Sequence, residues 1–465
     1  MPSRERVRHA RGAARDRTGH ALNEPLTTVR GLAHALTDAS SQASRPSACP
    51  GLMRIVPARD GGLCRIRLAW GELSAAQARV VAQVSLEFGS GFIDATNRAN
   101  LQIRGVTEEG DAQEALVSRL VDAGLGPDTP GSDDQRNVMS SPLAGLDSHA
   151  LLDVVPLVST LIGQMQRDAR LHQLSPKFAL MVDGGERLAM LEHPHDVWLS
   201  AISAERFVFG LAGCPPRFEN DAPALAAVKA GHVPELVDAL LHTFVDLAQP
   251  WQTRMRDLLT TCSIEEILGL VQEKLGLPLD RDVEDWRRPA SDARLRFGVH
   301  RQGTGDSVSV GAQVPLGRLN AATLYALADL APRLRMTPWQ SVMLLDVPSA
   351  NAQAVVEQLT ALGLATNPDE PFARLIACTG SQGCAKSFAD TKADAHLLAR
   401  SMPPAGDVHL SGCARSCAAA HPVETTLMAV SPGRYDLYGN APEPLARHLT
   451  IEQAARWLAR SHLDA

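Results

Sequence analysis

The sequence predicts an α/β (α+β) fold of two paired modules, each a small half-domain followed by a larger α/β lobe. Three observations predict it. Residues 71–80, GELSAAQARV, return in outline at 317–326 as GRLNAATLYA, 246 residues later. Residues 120–125, LVDAGL, return at 359–364 as LTALGL. Between these phrases the elements fall in the same order in both copies, and self-similarity on this scale sets the architecture before any single element does.

The first copy opens on Leu63-Cys64-Arg65-Ile66-Arg67-Leu68, which alternates with the period of a half-buried strand. The phrase at 71 then starts a helix with Ser74 as N-cap, and the phrase at 317 does so with Asn320, since a short side-chain oxygen there satisfies a free N–H of the first turn. Further strands follow at 91–96, GFIDAT, and at 342–347, VMLLDV; the second copy itself opens on the strand-like 306–310, DSVSV. The second helix of each copy ends at Gly124 or Gly363, residues suited to a left-handed C-terminal turn. Each copy reads strand–helix–strand–helix, a ferredoxin-like half unit with room for one more strand. The expected divisions are a flexible tail at 1–45, half-domains at 46–126 and 291–366, and lobes at 127–290 and 367–465.

Composition narrows the function classes. The 465 residues carry 45 Lys plus Arg against 52 Asp plus Glu, a net charge of −7. That balance argues against a nucleic-acid partner held by bulk charge. With 45% hydrophobic and 21% charged residues the chain is globular in composition, not disordered. No apolar run reaches the ~18 residues of a bilayer-crossing helix, so no membrane partner is expected. The Arg-rich start, from Arg4 to Arg17, leads into no apolar stretch and does not read as an export signal. The expected compartment is therefore a reducing cytoplasm, with the eight cysteines as thiols or metal ligands.

Four of those cysteines cluster. Residues 378–384, CTGSQGC, give Cys-x5-Cys, and residues 413–417, CARSC, give Cys-x3-Cys; Cys49, Cys64, Cys214 and Cys262 are scattered. Four thiolates in two pairs suit zinc or an iron–sulfur cluster. Zinc pairs usually sit on Cys-x2-Cys knuckles, whereas wider intervals reach the separate irons of a [4Fe–4S] cubane. Gly380 and Gly383 let the first loop wrap closely. A helix through 413–417 would place Cys413 and Cys417 on one face.

These cysteine pairs, with the repeat, resemble the sulfite and nitrite reductase superfamily, from about Ser47 to the C-terminus. The resemblance implies half-domains paired across a pseudo-twofold axis and a [4Fe–4S] cluster on Cys378, Cys384, Cys413 and Cys417. In the reductases such a cluster couples to siroheme through the last cysteine, which is Cys417 here. Residues 94–105, DATNRANLQIRG, are similar to the family's Thr-x-Arg-x-x-x-Gln element, with Arg98 and Gln102 in the binding positions. Residues 134–145, DQRNVMSSPLAG, supply Arg136, and 174–180, LSPKFAL, supply Lys177 with Ala179 at the second lysine position. A tetrapyrrole with up to eight carboxylates needs such cations, preferably Arg, which pairs with carboxylate bidentately.

The absent second lysine counts against sulfite reduction. Residues 45–67, 175–196 and 207–214 resemble one branch of the superfamily, the precorrin-3B synthases. That resemblance implies a monooxygenase using O2 to hydroxylate precorrin-3A at C20 with closure of a γ-lactone, and a mononuclear non-haem iron beside the cluster. Two His and a carboxylate can hold such an iron, and residues 192–196, EHPHD, offer His193 and His195, with His421 a further candidate; a plain polar turn is the other reading of 192–196. No Gly-x-Gly-x-x-Gly follows a strand, so electrons are expected from an external donor, a reductase or ferredoxin that is NADH-linked. A siroheme-dependent reductase and a non-catalytic electron-transfer protein are the alternatives.

Overall fold

The computed structural model describes residues 27–28, 49–303, 305–401 and 406–461. Most of the tail expected at 1–45 lies outside the described residues; Thr27–Thr28 pair antiparallel with Arg54 and Ile55. Among the described residues no helix is long and apolar enough to cross a membrane.

The local signals in the repeat act as the sequence requires. Helix Ala75–Phe88 starts in a capping box, with the Ser74 hydroxyl accepting from Gln77 N–H and the Gln77 side chain accepting from Ser74 N–H. Helix Ala321–Leu330 starts on Asn320, which accepts from Thr323 N–H at 2.8 Å. The helices Gly110–Asp122 and Ala352–Ala361 run into Gly124 at φ +74° and Gly363 at φ +83°. In both, two N–H groups past the end turn back to carbonyls of the last turn, closing a Schellman motif.

What the repeated phrases also do is exchange strands. Glu72–Ser74 pairs with Arg333–Arg335 in the second half-domain's sheet, and Arg318–Asn320 pairs with Phe92–Asp94 in the first. The half-domains therefore share one core, built from Ile66, Leu73, Val81, Leu101 and Leu116 on one side and Val310, Leu319, Leu324, Leu344 and Leu359 on the other. Burying one apolar face from each of two sheets with their helices gives a small unit a core that neither half could close alone. Matched ion pairs sit at the two crossings. Arg318 forks onto Asp94 at 2.6 and 2.9 Å, and Arg335 holds Glu72 at 2.5 Å, so the pseudo-twofold relates them with the charges interchanged.

Both lobes have the same strand order. In the first, Val138–Ser140, Leu180–Asp183 and His195–Ser203 run parallel, followed antiparallel by Arg206–Gly213 and Ala226–Lys229. In the last, Leu375–Ala377, Val408–Ser411 and Thr425–Ser431 are parallel, then Arg434–Tyr438 and Ala446–Leu449. Loops leaving the carboxyl ends of parallel strands are where ligands bind in such sheets. Here those loops carry all four paired cysteines in the last lobe, and Gly184–Pro194 in the first.

The first lobe's loop is held by buried charge. Arg288 forks onto Asp183 at 2.6 and 2.9 Å, Ser200 donates to the same carboxylate, and Arg288 also reaches the Glu186 carbonyl. Burial, then the neighbouring Asp183, pushes the Glu186 carboxyl up to about 8. The folded chain thus holds a proton that the unfolded chain releases above its ordinary value of 4.5. This contribution to stability is complete below 4.5 and is lost as pH rises through 8, with a limiting slope of about 1.4 kcal/mol per pH unit. Glu186→Gln should flatten that part of the melting temperature against pH curve; an unchanged slope would contradict a neutral Glu186. At the strand exchange, Gly71 has φ +76° and an added Cβ would lie 2.3 Å from the Met336 carbonyl oxygen. Gly71→Ala should cost about 1–3 kcal/mol in a denaturant melt.

Candidate active site

The cysteine cradle is made by close backbone approach. Cys378 follows strand Leu375–Ala377, and its sulfur accepts from Gly412 N–H at 3.2 Å. A Cβ on Gly412 would sit 1.9 Å from Ser387 Oγ and 3.3 Å from the Cys378 sulfur, so that position is open only to glycine. Gly380, at φ +75°, would meet Thr391 N at 2.8 Å, and Cys384 N–H bonds the Gly380 carbonyl. Cys413 and Cys417 do not share a helix face as the spacing suggested. They lie on a turn in which Ser416 takes φ +46° and the Ser411 hydroxyl caps the Cys413 carbonyl. Gly412 and the left-handed Ser416 break the i, i+4 ladder a helix needs.

Burial, then the other three thiols, raises the Cys417 thiol pKa, so the four sulfurs face one another. No three of them lie within 4.8 Å of each other. A single tetrahedral zinc, with ligand bonds of about 2.3 Å, needs them closer, while a four-iron cube is wide enough to span the gap. The thiol set, the glycine cradle and the N–H directed at sulfur fit a [4Fe–4S] cluster, and hydrogen bonds to the sulfurs are one lever on its potential.

The first half-domain anchors this cradle. On strands Gly61–Ile66 and Leu101–Val106 the apolar residues Cys64, Ile66, Leu101 and Ile103 point into the joint core, which leaves Arg65, Gln102 and Arg104 on the other face. Arg104, 3% exposed, forks onto Asp60 and donates to the Gly383 carbonyl inside the Cys-x5-Cys loop. Asn97 donates to the Cys417 carbonyl at 3.2 Å. Arg104 was not singled out from sequence, although the period-two alternation placed it beside Gln102 and off the core.

The same face carries the basic wall. With its amide oxygen turned to Arg65, Gln102 accepts from Arg65 Nε at 2.9 Å. Arg98 leans on the Lys177 carbonyl at 3.4 Å, and Lys177 itself is exposed. Burial, then the neighbouring guanidinium, lowers both arginines to about 10, with Arg67 against Arg65 and Arg254 against Arg98. Arg136 is committed to the protein, since it donates to the Gly126 and Leu125 carbonyls and to Asp133. Its fork stiffens the wall behind Arg67, which lies between Asp133 and Asp134. Ala179 is buried, and its N–H is taken by Asp196 at 2.8 Å.

The histidines converge here. Residues 192–196 are not a polar surface turn, as His193 and His195 are each 2% exposed with ring centroids 5.0 Å apart. Each ring bonds one backbone group, of Asn97 and of His193 respectively, while Nδ1 of both is buried without a partner among the described residues. Burial, then Arg98 and His421, lowers His193 to about 3. His421 thus faces the same space and has an unpartnered Nδ1 of its own. Metal-ligating histidines typically place one nitrogen on a carbonyl and leave the other free. These rings share that pattern, but no three ligand atoms among them converge within 4.8 Å, so in this arrangement they do not by themselves close a mononuclear metal site. The nearby carboxylates are engaged elsewhere, Asp196 with Arg254 and Glu192 with Arg217.

Comparison with known proteins gives a consistent picture. The family model described as the nitrite and sulphite reductase 4Fe-4S domain matches residues 131–279, which lie in the first lobe. The nitrite/sulfite reductase ferredoxin-like half domain matches residues 56–116 and 300–362. The chain is 30% identical over 390 residues to a chloroplastic ferredoxin–nitrite reductase of Zea mays, covering 76% of this chain and 67% of that one. It is 29% identical over 419 residues to a precorrin-3B synthase of a Sinorhizobium species, covering 87% and 85%. The solved structure of the Mycobacterium tuberculosis NirA protein shares the fold, with a TM-score of 0.71, 24% identity and coverage of 87% and 80%.

Replacing one of the four cysteines tests the cradle directly. Cys384→Ser should lose the visible absorbance and the EPR signal of the reduced cluster; a full signal would remove Cys384 from the ligand set.

Proposed function

The chain belongs to the nitrite/sulfite reductase family, and from that premise we propose that it is an iron–sulfur monooxygenase of the precorrin-3B synthase kind. The reaction inserts one oxygen atom of O2 at C20 of precorrin-3A with γ-lactone closure, while the other leaves as water. The observation that carries this reading is coverage. The precorrin-3B synthase relative aligns over 87% of this chain and 85% of its own, where the maize nitrite reductase extends well beyond the matched region. Ala179 agrees, because its short side chain brings no second lysine to the wall.

In this reading Arg65, Arg98 and Lys177 bind ring carboxylates, and Gln102 aims Arg65. Two half-buried guanidiniums held against like charge are stabilised most by an anion between them, so the wall is matched to a polyanionic ligand. Arg136 supports Asp133 behind them. His193, His195 and His421 bring free nitrogen lone pairs to the crevice, and a mononuclear non-haem iron would need them to draw closer than they stand. When bound, the cluster supplies electrons one at a time and the iron supplies dioxygen activation. The exposed Arg59, Lys386 and Arg415 flank the cluster loops and suit an external reductase or ferredoxin, NADH-linked, as the electron source.

A second reading is a siroheme-dependent sulfite or nitrite reductase. It is favoured by the 30% identity to the maize enzyme and by Cys417, the exposed thiol of the four. The two separate in one experiment. Holoprotein incubated anaerobically with precorrin-3A and reductant, then given oxygen, should yield a product heavier by one oxygen atom in mass spectrometry. A siroheme Soret band with nitrite or sulfite reduction, and no oxygenated product, would reverse the choice. Arg98→Ala should weaken precorrin-3A binding by about 1.5–3 kcal/mol, the value of a charge-assisted hydrogen bond.

A further inference from the structure

We propose that Arg254 is an additional carboxylate-binding residue of the crevice, held in place by Asp196. The proposal rests on the polyanion reading above and adds a binding residue on the first lobe, opposite the wall of the half-domain. Arg254 Nε donates to both oxygens of Asp196, at 3.0 and 2.9 Å. Asp196 is 2% exposed and is already filled by Ala179 N–H and Met255 N–H, each at 2.8 Å. That carboxylate therefore fixes three pieces of chain at once, namely the start of strand Leu180–Asp183, its own strand His195–Ser203 and the helix Met255–Leu258.

The consequence lies at the other end of the guanidinium. Neither Nη1 nor Nη2 of Arg254 has a hydrogen-bond partner among the described residues, although its side chain is only 14% exposed. A planar guanidinium tethered through Nε presents its Nη1–Nη2 edge as a preformed fork for a second carboxylate. Asp196, which holds Arg254, also accepts from Ala179 N–H, and Arg98 donates to the Lys177 carbonyl two residues earlier, so the two guanidiniums lie on either side of the same short segment, and the charge of Arg254 is felt at Arg98, His193 and His195. Asp196 is bonded to Arg254 and also lies within reach of Arg98, so one carboxylate serves two guanidiniums and the pair keeps a surplus positive charge. An anionic ring bridging the two sides would pair one carboxylate with Arg98 and another with Arg254.

Uroporphyrin, an octacarboxylate ring, is a stable fluorescent probe for this arrangement. Titrated into holoprotein, it should bind wild type with an affinity that falls with salt. Arg254→Gln should weaken it roughly tenfold and flatten the salt dependence, with cluster absorbance retained. Arg254→Lys keeps the charge on Asp196 without the fork, so it should still fold and should fall between the two. Wild-type affinity in Arg254→Lys and Arg254→Gln, with Arg98→Gln weakened, would overturn the role of Arg254 and leave the polyanion reading standing. Absence of binding to wild type itself would bring down both.

Discussion

The ion pair between Asp94 and Arg318 is the contact on which the rest of the molecule depends. It joins the two half-domains where they exchange strands, and the same carboxylate accepts from Thr379 in the Cys-x5-Cys loop and faces Arg104. Lys392 lies next to it, donates to the Leu316 carbonyl, and is lowered to about 8 by its burial. A buried carboxylate with several cations is costly to disturb, because removing any one partner leaves uncompensated charge. The cluster loop is thus fastened to the joint between the modules, and the crevice lies where both half-domains and both lobes can reach it.

The internal symmetry makes two such crevices in principle and equips one. The turns Thr96–Asn100 and Thr337–Ser341 share a threonine that accepts from two N–H groups and a left-handed fourth residue, Ala99 or Gln340. At the third position of the turn one copy has Arg98 and the other Trp339, which Arg296 covers at 5.4 Å from the ring centroid. On the neighbouring strands Gln102 and Arg104 match Met343 and Leu345, which pack with Leu143 and Leu188 in an apolar contact. The second crevice is filled by apolar side chains, while the first keeps polar groups that the protein does not fully satisfy. Unsatisfied buried donors and lone pairs are expensive in a core, so their concentration in one place marks the site.

Much of the fold was legible. Period-two alternation, Ser74 and Asn320 as caps, Gly124 and Gly363 as stops and the repeated order of elements all depend on local chemistry, which a single sequence displays. The swapped strands Glu72–Ser74 and Arg318–Asn320 were only hinted at, as room for one more strand, because three residues carry too little pattern to show which sheet they join. Of the candidate site, the four cysteines, Arg98, Gln102, Lys177 and the three histidines were expected from motifs, and the structure brings the cysteines together around one cradle and Arg98, Lys177 and the histidines beside one crevice. Arg65, Arg104 and Arg254 were not, and Arg65 and Arg104 had a readable signal in their position off the core face. Arg254 had none, as its importance comes from Asp196, 58 residues away in sequence.

The sequence by itself determined which elements form and where residue types suited to metal or anion binding recur at short spacing, because caps, alternation and ligand spacing act over a few residues. The tertiary structure decided which charges remain available. Arg136 is consumed by carbonyls and Asp133, whereas Arg98 and Arg254 keep free donors, and His193 and His195 are buried with open lone pairs. Those outcomes depend on partners brought from distant segments, and the free energy of a buried charge is set by its neighbours in space, not by its neighbours in the chain.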